Sequence, residues 1–438
     1  MAEDRNIQTP VFETRLTLVT EEISSVRSTS LGIWIKMGSR YEAPSQAGIS
    51  HFIEHMLFQG TERRTSQEIA IAIDAMGGQL DAFTTKESAC YYANVLDEHL
   101  DDALELLSDI VLQPRFDAEE MEQERSVILE ELASVEDVPE DYLYEQFVQT
   151  FWFDHPLGTP ILGHRETIER LEDEDLREYF GRAYDPANVV VAAAGRLDHD
   201  AVAARVRGSF GSLETHSELT DVSPPHPNQH FRIIEREELE QVHIGIGTLG
   251  TSATDEDRYI ANVLNSLLGG SLSSRLFQRI REQHGLAYNV YSSLGSYSDA
   301  GYLWIYAATR PEAAATVIEL ILEELTILRE VPVTAEELGR MKEHLKGSIM
   351  LGLESTAGRM SSLAQQEIYF DRAFDLDEIL AGINAVTTEQ LQQLAEELFD
   401  DTVISLDILA HRPAARKLES RFADGVSMPG GGCLTPSR

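Results

Sequence analysis

Cysteine is scarce in this sequence of 438 residues, where Cys90 and Cys433 are the only two. Two such residues provide neither a disulfide framework nor a thiolate metal cluster. Any metal ion must therefore be held by histidine and carboxylate ligands. Long hydrophobic runs are missing too, since no stretch approaches the roughly 20 apolar residues that span a bilayer. The segment 1–9 has neither the apolar core of a secretory signal nor the basic character of a transit peptide. We therefore expect a cytoplasmic protein without a membrane partner.

Positive charge is also in short supply, because 75 Asp and Glu residues stand against 35 Lys and Arg residues and the formal net charge is -40. Such a surface repels nucleic acid, whose phosphates require basic partners. The acidity has two interpretations: an acidic cavity that attracts basic peptides, or an acidic, well-solvated surface suited to high salt. Net charge bears on solubility before it bears on a site, so the general surface is the favoured interpretation.

The composition, 42% hydrophobic and 25% charged, is that of a globular protein, and the chain is too long for one ordinary core. Strand and helix patterns follow one another in a definite order along the first half. They comprise strands at 31–37, 88–96 and 189–194, and helices at 48–57, 97–112, 118–136 and 166–180. The second half repeats this order, with strands at 241–247, 301–308 and 403–409, and helices at 259–268, 312–328, 335–353 and 387–398.

Two halves with one pattern at an offset of roughly 210 residues indicate duplicated α+β domains. Each is predicted to be a sandwich of a mostly antiparallel sheet with helices packed on one side. We expect the domains to span 1–212 and 231–412, joined by a polar, proline-containing linker at 213–230. Residues 413–438, which end in Gly/Pro-rich sequence, are predicted to form a partly disordered tail.

The motif with the clearest chemistry is GISHFIEHMLFQGT, which lies on the predicted helix 48–57. His51 and His55 are four residues apart, one helical turn, so both imidazoles project from one face and can share a cation. Glu54 lies on that face as well. This H-x-x-E-H order is a metallopeptidase motif in which zinc polarises water and the glutamate accepts its proton. A five-residue motif can also occur by chance on an exposed helix, so other residues must show whether this one binds metal.

A catalytic zinc ion usually takes three protein ligands, so one more donor is required. The helical segment ERSVILEELASVED offers Glu124 and Glu131, which are two turns apart and share a face that Glu130 does not. A solvated acidic helix would show the same residues. The second half has no matching site, because its corresponding helix contains Asn262, Leu264 and Asn265 instead of histidines. Only the first domain is expected to bind metal.

Over residues 14–412 the chain resembles the pitrilysin or insulinase superfamily of zinc metallopeptidases, and most of all its processing-peptidase branch. Five ordered motifs carry the resemblance: HFIEHMLFQGT, GGQLDAFTTKESACYY, ERSVILEE, HPLGTPILG and SSRLFQRIREQHGLAYNVYSS. The resemblance implies a metallopeptidase fold of the LuxS/processing-peptidase-like type. It also implies that His51, His55 and Glu131 ligate zinc. If Glu131 is not the third ligand, Glu130 is the next candidate acid. Glu54 matches the base of the family and Glu124 its supporting acid, which orients a ligand.

The resemblance assigns two further groups of residues. Arg281 and Tyr288 match a pair in the second domain that contacts substrate and the developing oxyanion, to which a cation and a phenol can donate. Asp81, Ala82, Phe83, Thr84 and Thr85 match the edge segment on which a peptide lies as an added strand. Asp81 and Gln59 depart from the family, which often has Asn and Lys there. We expect both departures to adjust substrate preference without touching the metal.

The function that follows is a zinc-dependent endopeptidase acting on peptides or unfolded segments inside a closed chamber. The family builds such a chamber from two pairs of domains, and one chain of this length supplies one pair. A homodimer is the simplest assembly, and a heterodimer with a related chain is the alternative. The rival function is a catalytically silent structural or peptide-binding subunit, since relatives have lost their zinc ligands. The intact motif of this chain argues against it.

Overall fold

The computed structural model describes residues 5–10, 12, 14–211, 213 and 222–436. Its strands are β1 Asn6–Gln8, β2 Thr17–Glu22, β3 Ser28–Ile35, β4 Gln79–Thr84, β5 Ala89–Leu96, β6 Val189–Gly195, β7 Phe231–Glu235, β8 Val242–Gly250, β9 Ala287–Ser296, β10 Gly301–Thr309, β11 Ser405–Ala410, β12 Val426–Ser427 and β13 Cys433–Leu434. Its α-helices are α1 Ile49–Leu57, α2 Ser66–Ala75, α3 Leu100–Leu112, α4 Ala118–Asp137, α5 Pro139–Phe151, α6 Arg165–Ile168, α7 Asp173–Ala183, α8 His199–Phe210, α9 Arg258–Leu268, α10 Ala314–Glu330, α11 Ala335–Gly352, α12 Thr356–Phe370, α13 Leu376–Ala385, α14 Thr388–Leu398 and α15 Arg412–Arg421. Among the helices described, none is long and apolar enough to cross a bilayer.

The chain forms two compact units, and each unit takes one helix from the opposite half of the sequence. The first unit comprises Met1–Ser134, Thr159–Ser223 and Met350–Asp375, and the second comprises Val135–Gly158, Pro224–Ile349 and Leu376–Arg438. Helix α12 thus belongs to the first unit and α5 to the second. The predicted domains, 1–212 and 231–412, were contiguous, so they place α5 in the first domain and α12 in the second.

The first unit is built on a six-stranded sheet with the strand order β1-β2-β6-β3-β5-β4. Only the pairing of β2 with β6 is parallel, and all others are antiparallel. Strand β4 lies at the edge and pairs with β5 alone within the described residues. A sheet edge of this kind presents unpaired backbone groups.

Helices cover both faces of this sheet, which explains why β6, VVVAAAG, is buried at every position. On one face Leu31, Ile33 and Val191 pack in a core that includes residues of α1, α3, α7 and α8. On the other face Trp34 and Cys90 pack against Met360 and Leu363 of α12. Burial on both sides makes α12 an integral part of the first unit.

The second unit repeats the topology with the order β7-β11-β8-β10-β9, so that β9 takes the edge position held by β4 in the first unit. Helices α9, α10 and α14 contribute to the core on one face. Helix α5 packs on the other face, where Phe147 lies beside Trp304 with ring centroids 4.5 Å apart. A Cβ atom at Gly247 would lie 2.1 Å from the Phe147 ring, so the strand requires glycine there.

The predicted α+β fold of two duplicated domains is confirmed. The prediction that helices pack on one side of each sheet is wrong, because α12 and α5 cover the second faces and bury Trp34 and Trp304 there. Some segments also differ from prediction. The helix predicted at 166–180 is divided into α6 and α7, because Glu172 starts a new helix in a capping box with Asp175. The segment predicted to be a tail contains α15 and the β12-β13 pair, with Ala415, Leu418 and Leu434 buried in the core. Of the predicted linker, 214–221 lies outside the described residues, and 222–230 contains no helix or strand.

Candidate metal centre

Helix α1 places two histidines at the interface between its buried face and the surface. Ile49, Phe52 and Met56 anchor the helix in the core of the first unit. His51 is buried and His55 is partly exposed, with ring centroids 4.7 Å apart. The four-residue spacing places the two rings side by side on one face of the helix, with an angle of 66° between their planes, as the sequence predicts.

Helix α4 brings a carboxylate to both rings. Glu131 Oε2 lies 3.7 Å from His51 Nε2 and 3.5 Å from His55 Nε2. The three ligand atoms lie within 4.8 Å of one another. These separations are close to the ~3.4 Å between donors that share a tetrahedral zinc ion at about 2.0–2.2 Å. Two imidazoles and one carboxylate are a normal catalytic zinc set, so the residues present fit that ion.

Glu124 and Gln59 stand behind His55. The Glu124 Oε2 atom is 2.9 Å from His55 Nδ1, and the Gln59 side-chain amide donates to Glu124 Oε1 at 2.8 Å. A neutral His55 that donates from Nδ1 keeps its Nε2 lone pair for a metal. Gln59, which was expected not to touch the metal, is linked to His55 through Glu124 by two hydrogen bonds. Its position four residues after His55 was the available signal.

Burial and charge set the protonation of these groups. Burial and the neighbouring His55 lower the pKa of His51 to about 4, although Glu131 acts in the opposite direction. Burial also acts to lower the pKa of His55, but contacts with Glu131 and Glu124 outweigh it and the net pKa is raised. The contact with His55 lowers the pKa of Glu131. Near neutral pH the cluster thus offers a neutral His51 and an ionised Glu131 as donors.

Glu54 occupies the same helix beside this cluster. Its Oε2 accepts a hydrogen bond of 2.5 Å from Thr84 Oγ1 at the end of β4. Burial raises the pKa of Glu54, and the Thr84 hydrogen bond partly opposes this effect. A carboxylate with a raised pKa is suited to accept and return a proton near neutral pH. This hydrogen bond also joins α1 to the edge strand β4, and the sequence did not indicate such a contact.

The five residues predicted to bind substrate lie at the edge of the sheet. Asp81, Ala82, Phe83 and Thr84 belong to β4, and Thr85 lies in the turn that follows. The Ala82 N–H donates to Asp81 Oδ1 at 2.8 Å, so it faces away from β5. Apart from this contact with a neighbouring side chain, β4 forms no backbone pairing on this side with the described residues.

Arg281 and Tyr288 come together in the second unit. Arg281 lies in a π-helical segment, Phe277–Gln283, and Tyr288 lies near the start of the edge strand β9. The guanidinium carbon is 4.5 Å from the centroid of the Tyr288 ring, and Arg281 donates to the Tyr288 carbonyl at 3.1 Å. Tyr288 is 79% exposed, so its phenol is available to a ligand.

Two family models match the chain. The model described as Insulinase (Peptidase family M16) matches residues 17–165, and that described as Peptidase M16 inactive domain matches 170–345. The uncharacterized zinc protease YmxG of Bacillus subtilis is 41% identical over 384 residues, which are 88% of this chain and 93% of that protein. An uncharacterized zinc protease of Streptomyces coelicolor is 38% identical over 420 residues, which are 94% and 91% of the two chains.

Solved structures share the fold at low sequence identity. A protease from Helicobacter pylori superimposes with a TM-score of 0.87 at 22% identity, covering 92% of this chain and 99% of that one. A peptidase M16 inactive domain structure from Pseudomonas fluorescens gives 0.85 at 21% identity, with coverage of 93% and 98%. With both halves matched in order and relatives about 40% identical along most of their length, the chain belongs to the insulinase family, peptidase family M16.

Proposed function

We propose that this protein is a zinc-dependent endopeptidase that hydrolyses peptides or unfolded polypeptide segments. The observation that carries the proposal is the meeting of His51, His55 and Glu131 within 4.8 Å, with Glu54 on the same helix. The names of the relatives, which are called zinc proteases, support zinc as the ion. A silent subunit has no need of a complete donor set.

His51, His55 and Glu131 would hold the ion. Zinc, when bound, lowers the pKa of a water molecule to about 7 and polarises the carbonyl of the scissile bond. Glu124 keeps the Nδ1 proton of His55 in place, which fixes the tautomer and the orientation of that ring. Gln59 in turn fixes the plane of the Glu124 carboxylate.

Glu54 is the general base of the proposal. Thr84 occupies Oε2, so Oε1 is the oxygen that takes a proton from the attacking water. As water oxygen bonds to the carbonyl carbon, this proton moves to Glu54, which delivers it to the departing amide nitrogen as the C–N bond breaks. The carboxylate thereby returns to its starting state.

The open side of β4 is the proposed substrate site. A peptide laid along it in extended form exchanges main-chain hydrogen bonds with β4, which is sequence-tolerant recognition. Thr84 ends the strand and contacts Glu54, so a bound peptide would pass close to the base. Arg281 and Tyr288 are proposed to donate to the oxyanion, and we expect a dimer, with homodimer and heterodimer both open.

The Glu54→Gln variant tests the proposal. The purified wild-type protein should carry about one zinc ion per chain and hydrolyse unfolded peptides, and it should lose both properties on chelation. The variant should keep its zinc, measured by atomic absorption, and lose at least ~10²-fold in turnover, because the amide cannot accept the proton. Zinc-loaded wild-type protein that cleaves no member of a peptide library would favour the silent subunit. Near-normal turnover by Glu54→Gln would show that another residue is the general base.

A further inference from the structure

The metal helix α1 has an N-terminus without a side-chain cap of its own. Its N-cap residue is Gly48, with φ +95°, and no cap side chain satisfies the first N–H groups. Glu42, six residues earlier, does so instead. One carboxylate oxygen accepts from Gly48 N at 2.7 Å and the other from Ser50 N at 2.8 Å. Free N–H groups at a helix start require partners, and a carboxylate also suits the positive end of the helix.

Glu42 is buried, so its ionised carboxylate has lost the stabilisation that water would provide. Burial raises the pKa of Glu42 to about 7, while the Ser50 and Gly48 backbone groups act to lower it. A buried carboxylate is destabilising unless hydrogen bonds compensate for the lost water. The two N–H groups at the start of α1 provide that compensation. Glu42 and the helix start therefore stabilise each other.

Other residues contact the start of α1 but do not accept hydrogen bonds from its N–H groups. Thr167 Oγ1 donates to the carbonyl of Ala47 at 2.8 Å, and Ser50 Oγ lies 2.9 Å from Tyr179 Oη. A Cβ atom on Gly163 would lie 2.2 Å from the Ala47 carbonyl oxygen. The first turn of α1 is therefore enclosed, and its position depends on the hydrogen bonds inside the enclosure.

The segment that carries Glu42 also holds the turn after β4. Ser39 N donates to the Thr85 carbonyl at 3.2 Å, and Arg40 N donates to the Lys86 carbonyl at 2.7 Å. The Arg40 guanidinium lies 2.8 Å from Glu87 Oε1, and both side chains are buried. One short segment, 39–42, thus contacts both α1 and the edge-strand turn, the two elements that the Thr84–Glu54 hydrogen bond joins.

We propose that Glu42 is a positioning residue for the metal centre, which it serves by fixing the first turn of α1. His51 follows Ser50 directly, so fraying of this turn displaces a ligand. Helix α1 has nine residues, and a helix so short has little intrinsic stability. The inference rests on the proposed function, because it takes His51 and His55 as ligands.

Glu21 provides a matched control. It is buried in the same unit, on β2, and accepts hydrogen bonds from Arg5 at 2.8 Å and Arg359 at 2.7 Å. Neither partner belongs to α1. Replacing Glu21 by Gln should lower the melting temperature of the unit without moving the metal helix. Glu42→Gln should lower it as well, and in addition place an amide N–H₂ against a backbone N–H of α1.

The experiment measures zinc affinity by competition with a chromophoric chelator, together with the visible spectrum of the Co²⁺ form, well below each melting temperature. Glu42→Gln should weaken zinc binding roughly 10-fold or more and alter the Co²⁺ spectrum, as changes behind metal ligands do. Glu21→Gln should stay within about threefold of wild type. Unchanged affinity and spectrum in Glu42→Gln, or equal losses in both variants, would overturn the inference. A wild-type chain that binds no zinc would instead overturn the proposed function.

If Glu42→Gln does not fold, Glu42→Asp and Glu21→Asp decide in the same assay. Aspartate keeps the charge but is one methylene shorter, so it cannot reach both Gly48 N and Ser50 N. A lower zinc affinity for Glu42→Asp than for Glu21→Asp supports the positioning role. Equal, wild-type affinity for both would assign Glu42 to folding alone and overturn the inference.

Discussion

At the residue scale, three acids around two imidazoles have different tasks because their surroundings differ. Glu131 Oε2 faces both Nε2 atoms and is the one placed to complete the donor set. Glu124 lies behind His55 and fixes its Nδ1 proton. Glu54 is partly buried and accepts a hydrogen bond from Thr84, and burial raises its pKa. In the proposed function, these different environments assign three acids of similar chemistry to the roles of ligand, supporting acid and base.

Glu131→Gln should lose zinc, because the amide removes the anionic donor and leaves two imidazoles. Metal content after dialysis is the measurement, and we expect less than about a tenth of an ion per chain. Glu130→Gln is the matched control, since Glu130 is exposed and lies outside the donor cluster of the described residues. Loss of zinc from the Glu130 variant, with retention in the Glu131 variant, would exchange the two assignments.

The zinc affinity should depend on pH through one proton. His51, with a pKa of about 4, is already neutral above pH 5, whereas the raised pKa of His55 lies above 6.5. A metal ion must displace the proton from His55, so apparent affinity should fall about tenfold per pH unit below that pKa. Competition titrations between pH 5 and 8 measure the slope. A slope of two protons over this range would show that His51 is also protonated in the metal-free protein.

The sequence predicted the three residues that meet in the donor cluster, but not the contacts that position them. The spacing of His51, Glu54 and His55 is a helical pattern, and a single helix is local enough to be deduced. The Thr84–Glu54 hydrogen bond joins positions 30 residues apart, and Glu42 reaches α1 from outside any regular element. Such contacts depend on how strands and helices pack, which periodicity does not reveal.

At the scale of elements, the sequence did not predict that α5 packs in the second unit and α12 in the first. Both are ordinary amphipathic helices, and nothing in their patterns states which sheet they cover. The structure shows what binds α12 to the first unit: Arg359 donates to the buried Glu21 at 2.7 Å, and Tyr369 donates to Glu87 at 3.0 Å. These pairs bridge more than 280 residues of sequence. The duplicated sheets, by contrast, followed from the repeated order of local patterns.

Ala82→Pro tests β4 as the strand on which a peptide lies. Proline removes the Ala82 N–H, which faces away from β5, and proline is tolerated on edge strands at such positions. Zinc binding and fold should therefore persist while kcat/KM falls about fivefold, which corresponds to the loss of one hydrogen bond of about 1 kcal/mol. Ala82→Val keeps the N–H and is the control. Equal activity of the proline variant and wild type would remove β4 from the substrate site.

At the scale of the whole molecule, the acidity retains two interpretations. The chain carries 75 acidic residues, and the donor cluster uses few of them. A general acidic surface predicts that cleavage of basic and neutral peptides responds similarly to added salt. An acidic substrate site predicts that only the basic peptide loses affinity, since screening weakens attraction between exposed charges.

The last prediction concerns two copies of the chain. Each chain carries the proposed metal centre and the Arg281–Tyr288 pair, and we propose from the family resemblance that the pair serves the metal centre of a partner chain. Mixing inactive Glu54→Gln chains with Tyr288→Phe chains should then restore activity. After complete exchange half of the dimers are mixed, and each has one intact site, so recovery should approach about a quarter of wild type.

Two controls make this mixing experiment decisive. Tyr288→Phe alone should lower kcat far more than zinc content, because it removes a donor to the transition state and no ligand. Native mass spectrometry must show that mixed dimers are present, since unexchanged homodimers cannot complement. Mixed dimers without activity would mean that Tyr288 does not act on the partner's centre. Restored activity would require that residues of two chains complete one catalytic site, because neither parent chain has both Glu54 and Tyr288.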